Sequence, residues 1–431
     1  MRLLVGVALA IVVALVALLA EPLRPSAVLD PSPPVIGRDT VVHVVARDRG
    51  SGLARIEVRL VPANATAGVV LASEAFPRRS LLGSGVKEAT VEASARAVSN
   101  LTEGPATLEV WVTDHSWLPR LRSAPTLTHA LQVDLTPPAL EVVNEERIAT
   151  LGGSESVVYR VGADATSSGV RVGTEFFPGV AGLFADANLR AALFALPQDA
   201  PDARPVVVVS DAAGNERSAP VGVVVRPRRF ADKTLEISAD FLARKVPELL
   251  RANGMPDGGD LVDGYLRVNR ELRVATEARV RQICRESAPR QLWQGALLRL
   301  PNSAPLSGFA DRRTYVYEGR VIDHQTHLGF DLASLRGSPV PAANAGRVVF
   351  AGPLGIYGNT VIIDHGLGLF TLYGHLSAVD VAVGSDVARG TPIGKTGDTG
   401  LAGGDHLHFS VMIHGVHVDP VEWWDAHWIQ D

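Results

Sequence analysis

Four side chains near the C-terminus are of the types that hold a divalent metal. His327 and Asp331 lie in His327-Leu328-Gly329-Phe330-Asp331, and His406 and His408 in Gly404-Asp405-His406-Leu407-His408-Phe409. Neutral imidazole and carboxylate are ligands that Zn²⁺ accepts, and three protein ligands plus water make a catalytic rather than a structural site. Residues two apart on a strand face the same side, so His406 and His408 would present both imidazoles to one sheet face, with Leu407 and Phe409 on the other. A lone His-x-His, or a His and an Asp bracketing a glycine, arises readily by chance on a strand or turn. Their joint occurrence carries more weight, and Tyr373-Gly374-His375-Leu376 adds another histidine at a strand end between them. Nine of the 12 histidines lie from His324 onward, so one region holds most of the chemistry.

The elements that must position these groups read as β structure. From about residue 292 the pattern predicts strands at 314–321, 346–350, 359–364, 369–373 and 406–413, densely punctuated by Gly and Pro. That is an antiparallel β domain with long loops, placed at 290–431. Before it, 227–289 changes character. Ser238 can cap a helix whose apolar face is Phe241, Leu242, Val246, Leu249 and Leu250, and Pro247 inside it should kink or split it. Residues 255–259 break the chain, and 260–285 reads as a longer helix with Leu261, Tyr265, Leu272 and Ile283 inward. Cys284 on that helix has no histidine near it in sequence and reads as a structural thiol. The region is expected as a helical linker that sets geometry or covers a site.

The N-terminal half shows short alternating runs. Residues 40–46 lead into Asp48-Arg49-Gly50-Ser51-Gly52, residues 54–61 alternate with Ile56, Val58 and Leu60 on one side, and 106–112 ends at Thr113-Asp114. Evenly spaced short strands and turns predict a β-sandwich over 27–136. Pro137-Pro138 reads as a stiff joint. A weak repeat follows, in which Ser168-Gly169-Val170 echoes the first turn cluster and Asp211-Ala212-Ala213-Gly214-Asn215 echoes the strand end at Asp114. It predicts a second sandwich over 137–226. The Pro-Pro joint and the Asp-Ala-Ala-Gly-Asn hairpin resemble bacterial Ig-like domains, which implies a spacer, with adhesion as the other role. The fold class is therefore mainly β, with two sandwiches, a helical linker and an antiparallel β domain.

Composition narrows the setting. Of 431 residues, 46% are hydrophobic and 20% charged, and the net charge of −5 gives no electrostatic reason to expect nucleic acid. The single cysteine excludes an intrachain disulfide and a thiolate zinc cluster. After Met1-Arg2 comes an uncharged apolar run, residues 3–20, which reads as an export signal. It exceeds the usual apolar core of a cleaved signal peptide and approaches the length of a bilayer span, and Leu18 stands where cleavage after Ala20 wants a small residue. Residues 1–26 are expected as an uncleaved inner-membrane signal anchor with Arg2 cytoplasmic, leaving the bulk of the chain outside the cytoplasm in the cell envelope.

His327-Leu328-Gly329-Phe330-Asp331, Tyr373-Gly374-His375-Leu376-Ser377 and His406-Leu407-His408-Phe409, in this order, resemble the lysostaphin/LytM-type zinc endopeptidases of bacterial cell walls. Pro339-Val340-Pro341-Ala342-Ala343, Tyr357-Gly358-Asn359-Thr360 and the Gly-x-Thr-Gly turns between Gly384 and Gly400 agree, so the resemblance covers roughly 300–425. It implies Zn²⁺ held by His327, Asp331 and His408, with His375 and His406 as the two catalytic histidines. One would take a proton from water and pass it to the leaving amine, and the other would stabilise the tetrahedral oxyanion, in an order the sequence leaves open. The implied function is hydrolysis of peptide cross-links in peptidoglycan, at a D-Ala to diaminopimelate bond if the cell is Gram-negative. Peptidoglycan peptides would be the substrate partners, with cell-wall or division proteins beside them. The alternative is a silent or gated member that binds and activates a cell-wall amidase. Members of that kind have lost ligands, whereas all three ligands and both histidines are present here.

Other residues carry plainer expectations. His365 reads as packing, and His324, His414, His417 and His427 as surface or core. Asp405 reads as a solvated turn carboxylate, or else as a group orienting His406. Trp423, Trp424 and Trp428 should close the core, and Tyr357 should wall a substrate groove.

Overall fold

The structure, a computed structural model, describes residues 24–430 apart from 66, 81, 82, 97, 117–123, 144, 145 and 258. The anchor expected at the N-terminus, with its apolar run 3–20, lies outside the described residues. Among those described, no helix is long and apolar enough to cross a membrane. The chain is mainly β, as the alternation predicts, and divides into two compact units.

The first unit takes in the described residues up to 139, with 163–166 and 209–217. A three-stranded sheet (Ser26–Asp30, Val41–Arg47, Glu88–Ser94) and a five-stranded sheet (Val35–Ile36, Leu127–Val133, Gly104–Asp114, Leu53–Pro62, Val69–Ala75) enclose one core. Period two is the cause: Val42, Val44 and Ala46 from one sheet and Ile56, Val58 and Leu60 from the other are buried, while their neighbours along each strand turn outward.

The second unit spans 140–162, 167–208 and 218–431. It opens with an antiparallel sheet of Val180–Ala181, Leu189–Ala195, Ser154–Val161 and Leu140–Val142. Further along, an eight-stranded antiparallel sheet carries the histidines. Its order is Ala304–Ser307, Phe330–Ala333, Leu407–Ile413, Leu369–Gly374, Asn359–Gly366, Gly346–Pro353 and Asp386–Val387, with Val416–Val418 also against Leu407–Ile413. Trp423 is buried and its Nε1–H donates to Ser154 Oγ at 3.0 Å. Trp424 stacks on Phe409 with ring centroids 5.6 Å apart, and Trp428 meets Trp423 edge-on.

The helices are more than a linker. Ser238 Oγ accepts the Phe241 N–H at 3.1 Å and caps Ala239–Ala252, whose Leu242, Val246, Leu249 and Leu250 are buried. The next helix runs Leu261–Arg267, continues through a π-helical stretch Val268–Leu272, and ends as Arg273–Ile283. Tyr265, Val268, Leu272, Val280 and Cys284 from it join the same core as Ile356, Tyr357, Ile362, Phe370, Leu372 and Met412 of the sheet and its loops. Burial of each such side chain contributes about 1.5–3 kcal/mol, so helices and sheet stabilise each other. Burial also pushes the Cys284 thiol above its ordinary range, which keeps it unreactive.

Three local expectations are corrected. Of the kink or split expected at Pro247, the split does not occur: the helix runs on through it, and the missing N–H would have met the carbonyl of Ala243, which lies on the exposed face. Leu261 does not point inward but is 37% exposed, because it occupies the first turn after Asp260, before the helix reaches the core. The single strand expected at 314–321 is a hairpin of Arg312–Tyr317 and Arg320–Thr326. Glu318 and Gly319 both have positive φ (47° and 74°), the two-residue turn that matches strand twist.

Candidate functional site

The sheet register gathers the predicted residues. Asp331 pairs directly with His408 across two antiparallel strands, and Gly374 pairs with His408 from the other side. His375 follows Gly374 at the strand end with φ 62°, a backbone strained for a non-glycine residue and typical of functional positions. His327 enters from the loop before its strand, where its N–H donates to Asp311 O at 3.0 Å, and the His406 N–H donates to Gly397 O at 3.0 Å. All five residues are buried.

Three atoms converge. His327 Nε2 and His408 Nδ1 each stand 3.0 Å from Asp331 Oδ1 and 3.1 Å from one another. Among the described residues this is the one His/Cys/Asp/Glu group whose donor atoms, within 4.8 Å of each other, could hold a metal. The opposite nitrogen of each ring fixes which lone pair faces inward. His327 Nδ1–H donates to Gly308 O at 2.8 Å. Ser410 Oγ–H donates to Leu328 O at 2.8 Å, so its oxygen is free to accept His408 Nε2–H at 3.0 Å. His375 Nδ1–H donates to Thr399 O and His406 Nδ1–H to Gly404 O, both at 2.8 Å. His327, His375 and His408 therefore direct a lone pair into the site, while His406 turns its Nε2 toward Asp331 Oδ1, 3.6 Å away, where that nitrogen can carry a proton; two imidazoles with one carboxylate suit zinc. Gly329 makes room for this: a Cβ there would lie 2.5 Å from His408 Cε1 and Nε2.

Burial alone would raise the pKa of Asp331, but His327, with His406 and His408, outweighs it and holds the carboxyl well below the usual range. Burial, reinforced by His406 and His408, pushes His375 well below the ordinary histidine value and keeps it neutral. Burial likewise takes His408 down to about 4. Burial also opposes charge on His406, yet Asp331, 3.6 Å from its Nε2, leaves it raised.

These groups open into a cavity of about 850 Å³. Its lining includes Leu401, Gly403 and His406, and also Leu235, Ser238 and Arg244 from the region expected as a linker. Tyr357 is buried beneath, its ring 4.9 Å from that of His408, its carbonyl accepting the His375 N–H at 2.7 Å and its hydroxyl donating to Glu277 Oε1 at 2.7 Å. It is thus a floor more than a wall. Asp405 neither orients His406 nor stands free: its carboxylate accepts Thr396 Oγ1–H at 2.7 Å and the Gly337 N–H at 3.2 Å. His365 is buried between Ala345 O and Thr371 Oγ1, and His417 is buried against Glu277, 3.0 Å away. His324 and His427 are exposed and His414 is half-buried.

Sequence reasoning missed Ser410, although a hydroxyl two residues past His408 must share its sheet face. It also missed Lys245, buried with its ammonium donating to Asp398 O beside the loop that orients His375, and Arg313, whose Nη2 meets Asp331 Oδ2 at 2.9 Å. No local pattern announces either contact.

Residues 325–420 match peptidase family M23. The chain is 46% identical over 95 residues to the DD-carboxypeptidase/endopeptidase Mpg of Neisseria meningitidis, covering 22% of each chain. It is 38% identical over 109 residues to the peptidoglycan DD-endopeptidase ShyA of Vibrio cholerae, 25% of each. It is 37% identical over 95 residues to the murein hydrolase activator EnvC of Escherichia coli, 22% of this chain and 23% of that one. The chain thus spans only 22% of the length of the first curated relatives it matches.

Proposed function

Because its C-terminal part is a peptidase family M23 domain, we propose that this chain is a zinc metalloendopeptidase that hydrolyses peptide cross-links of peptidoglycan in the bacterial cell envelope. The observation that carries the reading is the convergence of His327 Nε2, Asp331 Oδ1 and His408 Nδ1, with two more inward-facing histidines on the rim of a groove. The three converging residues would hold Zn²⁺, which when bound supplies Lewis-acid activation of water and of the scissile carbonyl.

The chain's own groups do the rest. His375 is neutral because it is buried, a cause independent of Asp331, so its free Nε2 suits the general base that takes the proton and returns it to the leaving amine. His406, its ring 4.9 Å from that of His375, turns Nε2 toward Asp331, and a proton held there can donate to the oxygen that gains charge in the transition state. The Thr399 and Gly404 carbonyls hold both rings at fixed angles, so little reorganisation is needed during reaction.

The N-terminal segment would anchor the chain to the inner membrane, and the sandwiches, which we read as Ig-like, would act as spacers toward the wall. Protein with stoichiometric zinc should split cross-linked muropeptide dimers, and His408→Ala should not. Intact dimers after digestion with zinc-loaded wild type would refute the enzyme. The likeness to the murein hydrolase activator favours a second reading in that event, tested by adding the protein to a purified cell-wall amidase.

A further inference from the structure

We propose that Arg313 is a positioning residue for the metal site: it occupies Oδ2 of Asp331 so that Oδ1 alone is offered to the ion. The inference rests on the reading of the site just given. A buried carboxylate with both oxygens free can grasp one cation through both, which raises the coordination number and uses the position that substrate needs. Here the two oxygens have different surroundings. Oδ1 faces His327 Nε2 and His408 Nδ1 at 3.0 Å each, and His406 Nε2 at 3.6 Å. Oδ2 receives Arg313 Nη2–H at 2.9 Å, from a guanidinium whose side chain is only 17% exposed. Arg is suited to this task, because its planar fork is always charged and binds carboxylate in a fixed direction.

Arg313 is itself held. Its Nη2 also donates to Ser307 Oγ at 3.0 Å, and Ser307 Oγ–H donates to Asp311 Oδ2 at 2.9 Å. That same Asp311 oxygen accepts the Gly308 N–H at 2.9 Å and pairs with Lys233 Nζ at 3.0 Å. Lys233 sits on strand Asp232–Glu236, which pairs in parallel with Arg312–Tyr317 and so fixes its distance from Arg313. The turn that carries Ser307 and Asp311 also supplies the Gly308 carbonyl that orients His327. One short turn therefore sets two of the three metal-binding side chains, His327 directly and Asp331 through Arg313. Lys233, Ser307, Asp311 and Arg313 all lie before residue 325, where the family match begins.

The test compares full-chain wild type with Arg313→Met, Arg313→Lys, Lys233→Met and, as control, His408→Ala. Zinc affinity is read by competition with a chromophoric chelator, and coordination by the absorption of the cobalt(II)-substituted protein. Arg313→Met should bind zinc about 10–100-fold more weakly, and its cobalt absorption should weaken as the freed Oδ2 adds a ligand. Arg313→Lys should recover part of the affinity, and Lys233→Met should lose only a few-fold, since it removes the far end of the chain of bonds. A folded Arg313→Met with wild-type affinity and spectrum overturns the proposal. If that variant fails to fold, Arg313→Lys and Lys233→Met both matching wild type overturn it equally. A wild type that binds no zinc, or a His408→Ala that binds it normally, removes the metal site and the proposal with it, which separates that failure from failure of Arg313 alone.

Discussion

Replacing Gly329 by Ala should disable the proposed metal site while leaving the sheet intact. The added methyl would stand 2.5 Å from Cε1 and Nε2 of His408 and 2.6 Å from Ser410 Oγ. Carbon contacts settle at about 3.5–4.0 Å, so the imidazole must retreat by about 1 Å. Retreat breaks its 3.0 Å bond to Ser410 and draws Nδ1 away from Asp331. Metal–ligand distances in working sites hold to about 0.2 Å, so a displacement several times larger should cost at least about 100-fold in zinc affinity, roughly 3 kcal/mol. The fold should lose less, about 1–3 kcal/mol of overpacking. Chelator competition reads the first quantity and the melting temperature of metal-free protein the second. Gly403→Ala is the control, because a Cβ there meets nothing within 4 Å although it lies on the same rim. If Gly329→Ala takes up zinc as tightly as Gly403→Ala, the argument that this glycine makes room for His408 is wrong.

Ser410→Ala removes the acceptor that fixes the His408 tautomer and should weaken zinc binding by about 10–100-fold; unchanged chelator competition would exclude that role. Residues 290–431 alone lack Leu242, Val246, Leu250 and Tyr265 of the shared core, so they should show no cooperative melt by near-ultraviolet circular dichroism. A sharp melt of that fragment would show that the sheet closes without the helices. Glu422 carries the pH prediction. Burial, with help from Asp419 and Glu155 and against the Ser154 N–H and Arg228, pushes its carboxyl from 4.5 up to about 7. The stability it leaves intact below pH 4.5 is lost as pH rises through about 7, so Glu422→Gln should melt higher than wild type at pH 8 and equally at pH 4. Allowing for its partial exposure, the gain is on the order of 1–2 kcal/mol, and an equal shift at both pH values would contradict the sign.

The histidines and Asp331 were legible because chemistry and periodicity coincide there: His406 and His408 share a face by strand geometry, and His-x-Gly-x-Asp has a steric reason for its glycine. The strands of the first unit were legible for the same reason, since alternation follows directly from burial on one face. Boundaries were less so. Tyr315-Val316-Tyr317-Glu318-Gly319-Arg320-Val321 alternates smoothly enough to pass for one strand, and only two positive φ angles reveal the turn. The apolar face of the first helix was legible, but not what it faces; Val246 and Leu250 say that something covers them, and nothing in their spacing says that it is the helix beginning at Leu261, whose Gly264 lies against both. Arg313 and Lys245 were illegible for a related reason. A basic residue on a strand or helix reads as solvated, and its burial against Asp331 or Asp398 exists only after distant segments meet.

Asp331, His408 and Gly374 occupy one rung across three adjacent strands, with His375 a single residue beyond it. The hydrogen-bond spacing of a sheet is about 4.7–4.9 Å and scarcely varies, so the rung acts as a ruler for the groups proposed to do the chemistry. Loop drift cannot stretch it. The groove lining, by contrast, draws on segments far apart in the chain, among them 401–405 and 235–244. What enters the groove can therefore be altered by exchanging those segments while the rung keeps its dimensions, which makes the lining the place to retarget this chain and the rung the part to leave alone.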